Sequence, residues 1–132
     1  MERIMVDTSA IYALLDSSDN FHKQAVSFLK ALSLSQNLVL VTNFIVAESH
    51  ALLANRPGPE IAGQWLKGLC WPIERVTIED ENRAREIIYS HTGKSFSFTD
   101  ATTFAVMERL GIKNAPAFDQ HFTQYGLNLY NL

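Results

Sequence analysis

Four acidic residues in this sequence occupy positions where a carboxylate can either take part in chemistry or cap a helix. Asp7 ends the apolar run in RIMVDTSA, Asp119 ends a second run in APAFD, and Asp100 follows the hydroxyl-bearing segment SFT. Asp, Ser and Thr are favoured at helix N-caps, so each of these three residues also has a purely structural interpretation.

Glu48 does not fit the capping interpretation, because it lies inside a predicted helix. Its neighbours three and four positions away are Phe44, Ile45, Ala51 and Leu52, so the carboxylate interrupts the stripe that should face the core. Burial of an unpaired carboxylate is costly, and a metal ion, a cation or a bound proton would relieve that cost. The alternatives are a rim position, with the side chain reaching water, and a salt bridge.

Taken together, the four acids suggest a metal site. Parallel α/β sheets bind ligands at the carboxyl ends of their strands, which is where these residues are expected to converge. Carboxylates that converge without cations repel one another, and Mg²⁺ or Mn²⁺ with oxygen ligands resolves that repulsion. Such ions lower the pKa of bound water and stabilise charge on a phosphodiester, which indicates metal-dependent phosphodiester hydrolysis.

The elements that must position these acids alternate between strand and helix patterns, which predicts an α/β fold with a mostly parallel sheet. The predicted strands are residues 2–6, 38–42, 72–76, 115–118 and 127–129. The predicted helices are residues 8–15, a helix capped by Asp19 or Asn20 that runs to about residue 34, Asn43 to about Asn55, a helix carrying Trp65 and Leu69, residues 79–91, Phe98 to Leu110 ending at Gly111, and a short helix after Asp119.

Composition and charge limit the remaining possibilities. The 132 residues predict one domain, residues 1–132, with 47% apolar and 19% charged residues. If four of the 14 acids share one site, the other 10 nearly balance the 11 basic residues, so the net charge of −3 does not exclude a nucleic-acid substrate. No apolar run is long enough to span a membrane and no signal peptide is recognisable, so we expect a cytoplasmic protein.

Other motifs have weaker interpretations. The segment Thr92-Gly93-Lys94-Ser95 resembles the end of a phosphate-binding loop. Such a loop requires another glycine five residues before Gly93, and that position is occupied by Ile88. The single Cys70 excludes an internal disulfide and is interpreted as a buried, inert thiol. The sequence contains four histidines, and no two of them have the spacing of a pair of metal ligands. They are His22, His50, His91 and His121. The basic residues considered for RNA contacts, and interpreted mainly as surface charges, are Arg83, Arg85, Lys94, Arg109 and Lys113. The aromatic residues interpreted as core or dimer contacts are Tyr12, Phe21, Trp65 and Trp71.

The ordered segments VDTSA, VAESHALL, SFTDATTFAVMERLGI and AFDQHF resemble the PIN-domain nucleases, and within them the VapC-type toxins of toxin–antitoxin pairs. The resemblance extends from residue 4 to about residue 129. It implies a sheet of four or five parallel strands flanked by helices, and a Mg²⁺- or Mn²⁺-dependent endoribonuclease. It also implies an acidic quartet with supporting hydroxyls, and the matching positions are Asp7, Glu48, Asp100, Asp119, Thr8, Ser9 and Thr99.

The resemblance further implies an antitoxin protein that blocks the site, often with a basic side chain, and a homodimer. In the mechanism that we hypothesise, metal held by Asp7, Asp100 and Asp119 binds the scissile phosphate and activates water, while Glu48 orients that water or a second metal. Asn43 departs from many relatives and is interpreted as a helix cap rather than a polar group at the edge of the site. Two alternative functions are an RNA-processing nuclease and a non-catalytic binding module on the same fold.

Overall fold

The computed structural model describes residues 2–116, 125–126 and 128–130, and within them strands and helices alternate as predicted. The strands are β1 (Arg3–Met5), β2 (Leu38–Thr42), β3 (Ile73–Glu74), β4 (Asn114–Pro116) and β5 (Asn128–Tyr130). The helices in these residues are α1 (Thr8–Leu15), α2 (His22–Leu34), α3 (Asn43–Asn55), α4 (Pro59–Gly68), α5 (Ile78–Ser90) and α6 (Phe98–Leu110).

The strands form one five-stranded sheet in the order β3-β2-β1-β4-β5, and every strand pair is parallel. The central strand β1 pairs with β2 through Ile4 opposite Val39 and with β4 through Ile4 opposite Asn114. Ile4 and Met5 are fully buried, as expected for a strand covered on both faces. The predicted α/β fold with a parallel sheet is confirmed.

Helix α6 is the most deeply buried helix of the described residues, because residues 101–107 are all buried. It packs against α5 and α3, while α3 also packs against α1 and α4. The largest fully buried side chains join the sheet to these helices: Ile4, Met5, Ile11, Ile45, Leu53, Ile87, Phe104 and Met107. A helix enclosed by its neighbours in this way holds the residues at its N-terminus in a fixed position relative to the sheet.

Gly111 ends α6 in the left-handed conformation, with φ of +69°, and its N–H donates to the Glu108 carbonyl at 3.2 Å. Glycine reaches this region without the steric cost that a Cβ imposes, so the predicted C-cap is confirmed. Helix α3 ends at Asn55 and α4 begins at Pro59, so the segment Arg56-Pro57-Gly58 separates the two helices. None of the helices in the described part of the chain is long and apolar enough to cross a lipid bilayer.

Two capping predictions are wrong. Thr42, not Asn43, caps α3, because the hydroxyl at the end of β2 accepts the Ile45 N–H at 3.0 Å. Asn43 is the first helical residue, and its side-chain oxygen accepts the Val76 N–H at 2.8 Å, which ties α3 to the segment after β3. Asp19 does not cap α2 either, because its carboxylate accepts the Phe21 N–H at 2.9 Å in the turn before the helix.

The interpretation of Cys70 as a buried thiol is also wrong, since its side chain is exposed. Cys70 lies between the end of α4 and β3, and β3 is the edge strand of the sheet. The chain leading into an edge strand has no further strand on its outer side, so apolar neighbours in sequence do not enclose the thiol.

The end of the chain is described only in part. The predicted strand 115–118 is observed from Asn114 to Pro116, and β5 lies one residue later than predicted. Asp119, the predicted short helix after it and His121 lie outside the described residues.

Candidate functional site at the carboxyl edge of the sheet

Three helix N-termini meet at the carboxyl edge of the sheet. Helix α1 begins three residues after β1 ends, and α3 begins directly after β2. Helix α6 leads into β4 from its C-terminus, so its N-terminus points back towards the same edge. The rings of Phe44 and Phe98, with centroids 6.0 Å apart, join the first turns of α3 and α6. Helix N-termini carry partial positive charge, so this edge favours the acidic side chains found there.

Asp7 is buried, with 5% of its surface exposed, at the start of α1. It caps the helix, because one carboxylate oxygen accepts the Ala10 N–H at 3.2 Å. The other oxygen accepts the Ser9 hydroxyl at 2.9 Å. A carboxylate offers about four acceptor positions, so these two bonds do not exclude a role as a ligand. The capping and metal-binding interpretations of Asp7 are therefore compatible, and the supporting role of Ser9 at a metal or phosphate stays a prediction.

The hydroxyl of Thr8, next to Asp7, is buried and has no hydrogen-bond partner within the described part of the chain. A buried polar group without a partner is costly, and an ion or a water molecule is a common explanation. The oxygen of Thr8 and the carboxylate of Asp7 are donors of the kind that hard divalent cations bind. This pair of neighbouring oxygen donors fits the predicted Mg²⁺ or Mn²⁺ ligand set.

Asp100 lies at the third position of α6 rather than at its N-cap. Ser97 is the cap, and its hydroxyl accepts the Asp100 N–H at 3.0 Å while the Asp100 carboxylate accepts the Ser97 N–H at 3.0 Å. This reciprocal capping box holds the half-buried Asp100 carboxylate at the N-terminus of α6, at the carboxyl edge of the sheet. Thr99, the residue before it, is also half-buried, and its carbonyl accepts two threonine hydroxyls from the next turn.

A second capping box of the same spacing shows what a purely structural aspartate looks like in this chain. Thr77 and Asp80 form it at the start of α5, and Asp80 is 4% exposed. The Arg109 guanidinium donates to this carboxylate at 2.9 and 3.0 Å. Burial acts to raise the pKa of Asp80, but the bonds from Arg109 and Thr77 outweigh it and hold the pKa below its usual value. The S/T-x-x-D spacing shared by Thr77–Asp80 and Ser97–Asp100 was the sequence signal that could have identified both capping boxes.

Glu48 lies at the rim of α3, not on its buried face. The buried residues of α3 are Ile45, Ser49 and Leu53, and Leu52 is 45% exposed. The inference that Glu48 interrupts the core stripe is therefore wrong, because the buried side of the helix is narrower than the apolar pattern. The half-buried Glu48 also makes no hydrogen bond or ion pair with the other described residues, which argues against the salt-bridge alternative.

The described residues do not by themselves complete a metal centre. No three of their His, Cys, Asp and Glu side chains lie together closely enough to hold an ion. Asp119, the fourth member of the predicted quartet, lies outside these residues, so its relation to Asp7 and Asp100 stays a prediction.

Two of the basic residues considered for RNA contacts form ion pairs with acidic side chains of the chain itself. Arg83 pairs with Glu108 at 3.1 Å and Glu86 at 3.2 Å, and Arg109 pairs with Asp80 and Glu74. These guanidiniums join α5, α6 and β3. Lys94 is exposed in the loop before α6 and stays a candidate for contact with a phosphate backbone.

Besides Asp80, sequence reasoning missed the buried Asp16, which also lies outside the candidate site. Asp16, at the C-terminal end of α1, is 7% exposed and accepts the hydroxyls of Ser18 at 2.6 Å and Tyr12 at 2.7 Å. The Ser18 hydroxyl, followed by that of Tyr12, lowers the pKa of Asp16 to about 2. Its position two residues before a serine is a common turn pattern and did not distinguish it from surface acids.

Comparison with known proteins supplies a family and a set of relatives. The PIN domain family model matches residues 4–127 of the chain. The "23S rRNA-specific endonuclease VapC20" of Mycobacterium tuberculosis is 37% identical over 127 residues, which cover 93% of this chain and 94% of that protein. The crystal structure of M. tuberculosis VapC20, a sarcin–ricin loop cleaving toxin, superposes with a TM-score of 0.84 at 33% identity, covering 95% of this chain and 96% of that one.

Two further solved structures share the fold at low sequence identity. FitAcB from Neisseria gonorrhoeae has a TM-score of 0.65 at 18% identity, with 97% of this chain and 96% of that chain covered. VapBC2 from Rickettsia felis, bound to a DNA fragment from its promoter, has a TM-score of 0.70 at 12% identity, with 98% of both chains covered. At these identities the likeness concerns the fold alone.

Proposed function

This chain belongs to the PIN domain family, and on that premise we propose that it is a metal-dependent endoribonuclease and the toxin of a type II toxin–antitoxin pair. One observation of the structure carries most of the weight. Asp7 and Thr8 are consecutive buried residues where β1 ends and α1 begins, and the Thr8 hydroxyl has no hydrogen-bond partner among the residues that the structure describes. The same edge receives the N-termini of α3 and α6. VapC20, with 37% identity, is described as an endonuclease.

The residues proposed to hold Mg²⁺ or Mn²⁺ are Asp7, Asp100, Asp119 and Glu48, with the Thr8 hydroxyl beside them. Such an ion lowers the pKa of water and offsets negative charge on a phosphodiester. The chain positions its own donors by capping bonds. Ser9 and Ala10 orient the Asp7 carboxylate, and the Ser97 N–H orients that of Asp100. Donors held in this way need little reorganisation when the substrate arrives.

Glu48 is proposed to act as a positioning base at the rim of the site. Its half-buried carboxylate is not engaged by any described arginine or lysine, so its charge remains available to orient a water molecule. The Thr99 position lies beside Asp100 on the first turn of α6, where a hydroxyl supports phosphate or metal.

The proposed substrate is RNA, and ribosomal RNA is the first substrate to test, because VapC20 is described as specific for 23S rRNA and as cleaving the sarcin–ricin loop. The proposed protein partner is an antitoxin that covers the acidic edge with a basic side chain. A small gene immediately upstream that encodes such a partner would favour the toxin over an RNA-processing nuclease.

A homodimer is proposed on the family resemblance. An open groove of about 370 Å³ beside β3 is bordered by exposed Leu66 and Ile73, which are apolar side chains of the kind a second copy covers. Analytical ultracentrifugation of the purified chain, with Ile73→Lys as the disrupting variant, tests this part of the proposal. A wild-type chain that sediments as a monomer at micromolar concentration would contradict it.

The decisive experiment is cleavage of a sarcin–ricin loop oligonucleotide and of a mixed-sequence single-stranded RNA by the purified protein. Reactions would contain Mn²⁺, Mg²⁺ or a chelator, and wild type would be compared with Asp100→Asn and Asp80→Asn. We expect cleavage that requires metal, disappears in Asp100→Asn and persists in Asp80→Asn. Absence of cleavage, together with no Mn²⁺ binding by calorimetry, would overturn the proposal.

A further inference from the structure

Two phenylalanine rings form an aromatic corner beside the acidic edge. Phe44 is the second residue of α3 and Phe98 is the first residue of α6. Their ring planes are inclined by 52° with centroids 6.0 Å apart. Phe44 is half-buried and Phe98 is 38% exposed, so the corner is backed by protein and open on its outer side.

The corner lies next to a residue of the proposed site. Glu48 follows Phe44 by four residues on α3, which places the two side chains on the same side of the helix, one turn apart. Phe98 packs against Phe44 from the first turn of α6, the turn that also carries Asp100. The aromatic corner therefore lies within one helical turn of Glu48 on α3 and within the same turn of α6 as Asp100.

The corresponding position in α5 shows that this aromatic pair is not required for capping. Ile78 is the first residue after the Thr77 cap, as Phe98 is after Ser97, and Ile78 is 73% exposed. Both capping boxes are complete, so an aromatic ring contributes nothing to the hydrogen bonds of either helix start. Ile78 is therefore the matched control for Phe98.

We propose that Phe44 and Phe98 form a stacking subsite for one nucleobase adjacent to the scissile phosphate, an inference that rests on the proposed ribonuclease function. Every nucleobase has a π-face, and stacking on an aromatic side chain is a main source of affinity for single-stranded RNA. The half-buried Phe44 packs against Phe98 on its inner side and leaves the outer side of the Phe98 ring open to a base. The subsite positions the RNA and takes no part in the chemical step.

The test measures RNA affinity separately from cleavage. Fluorescence anisotropy would follow a labelled sarcin–ricin loop oligonucleotide and a mixed-sequence single-stranded RNA in Ca²⁺, with wild type, Phe98→Ala, Phe98→Leu, Phe98→Trp and Ile78→Ala. We expect Phe98→Ala to weaken binding about tenfold, Phe98→Trp to restore it, and Ile78→Ala to leave it unchanged. Circular dichroism melts would verify that each variant is folded.

A second arm identifies the stacked base. In RNAs that lack one base at successive positions around the cleavage site, the effect of Phe98→Ala should vanish at one position and persist at the others. The proposal is overturned if Phe98→Ala binds like Ile78→Ala, if Phe98→Leu binds like wild type, or if every abasic RNA loses affinity equally. If all variants bind RNA equally, the proposal is overturned, and the two rings are then better explained as a contact surface for a protein partner.

Failure of the proposed nuclease function has a different signature. Wild-type protein would then bind RNA with the Phe98 dependence intact but would not cut it in Mn²⁺ or Mg²⁺. Cleavage by wild type that Phe98→Ala leaves unchanged at subsaturating RNA would instead support the nuclease and overturn the subsite.

Discussion

Asp80 and Asp100 occupy the same position in two capping boxes, and their different surroundings predict a large loss of stability for Asp80→Asn and almost none for Asp100→Asn. Asp80→Asn weakens a buried carboxylate–guanidinium pair and should lower the free energy of unfolding by about 1.5 kcal/mol. Asp100→Asn keeps an acceptor for the Ser97 N–H and should change it by less than about 0.5 kcal/mol. Urea unfolding in chelator measures both.

Glu48 provides a second prediction at the level of single residues. Because its carboxylate makes no hydrogen bond or ion pair with other described residues, Glu48→Gln should leave the stability of the metal-free protein unchanged within about 0.5 kcal/mol. The same variant should lower the rate of RNA cleavage at least tenfold. A loss of more than about 2 kcal/mol in urea unfolding with chelator would show that Glu48 is structural.

Asp16 gives a pH-dependent prediction that is independent of the candidate site. Its native pKa of about 2 lies below the ordinary value of 3.8, so its ionised form stabilises the fold above about pH 4, and this contribution is lost as the pH falls towards 2. Ser18→Ala removes the main cause of the lowered pKa. The urea midpoint of this variant should lie below that of wild type at pH 6, and the difference should shrink towards pH 2. A difference that does not change with pH would indicate lost packing instead.

The sequence located the acids more reliably than it explained them. Asp7 and Asp100 lie at the predicted edge because the strand and helix patterns around them are strong. The reasoning about Glu48 gave the wrong cause, because periodicity alone does not show how wide the buried face of α3 is. Asp80 was missed because its partner, Arg109, is 29 residues away in the chain.

At the scale of elements, helix and strand patterns predicted the order of the fold and most boundaries. Helix α1 spans residues 8–15 and α6 spans residues 98–110, both as predicted, because each follows a capping residue and α6 ends at a left-handed glycine. The start of α2 was misplaced because Asp19 forms a turn before the helix. Competition between neighbouring polar residues for the same N–H decides such boundaries, and the sequence does not resolve it.

Arg109 joins α5, α6 and β3, so substituting it tests how much the contacts between these elements stabilise the fold. It lies in the last turn of α6 and donates to Asp80 of α5, to Glu74 of β3 and to the Arg75 carbonyl at 3.3 Å. Arg109→Met should destabilise the fold by about 2 kcal/mol, because it leaves the Asp80 charge buried without its partner. Adding Asp80→Asn should recover part of this loss. Additive effects of the two substitutions in urea unfolding would mean that they do not interact.

At the scale of the whole molecule, the acidic carboxyl edge of the sheet and an RNA substrate would repel each other, because both are negatively charged. The chain carries a net charge of −3 at pH 7, and RNA is strongly negative. The N-termini of α1, α3 and α6 offset part of the negative charge at the edge, and divalent metal would offset more. The affinity of wild type for RNA, measured by fluorescence anisotropy, should therefore rise when Ca²⁺ is added, and it should rise less in Asp100→Asn, which lacks one of the proposed metal ligands.

Metal binding should also be visible in the stability of the entire fold, without any RNA. A ligand that binds only the native state at about 100 times its Kd adds about 2.7 kcal/mol, which for a domain of this size raises Tm by roughly 10 °C. We expect Mn²⁺ to raise the Tm of wild type in this way and to leave that of Asp7→Asn nearly unchanged, because asparagine keeps the cap of α1 and removes the charge. Asp80→Asn should respond to Mn²⁺ as wild type does, from a lower starting Tm. An equal rise in wild type and in Asp7→Asn would place the bound metal away from the carboxyl edge of β1.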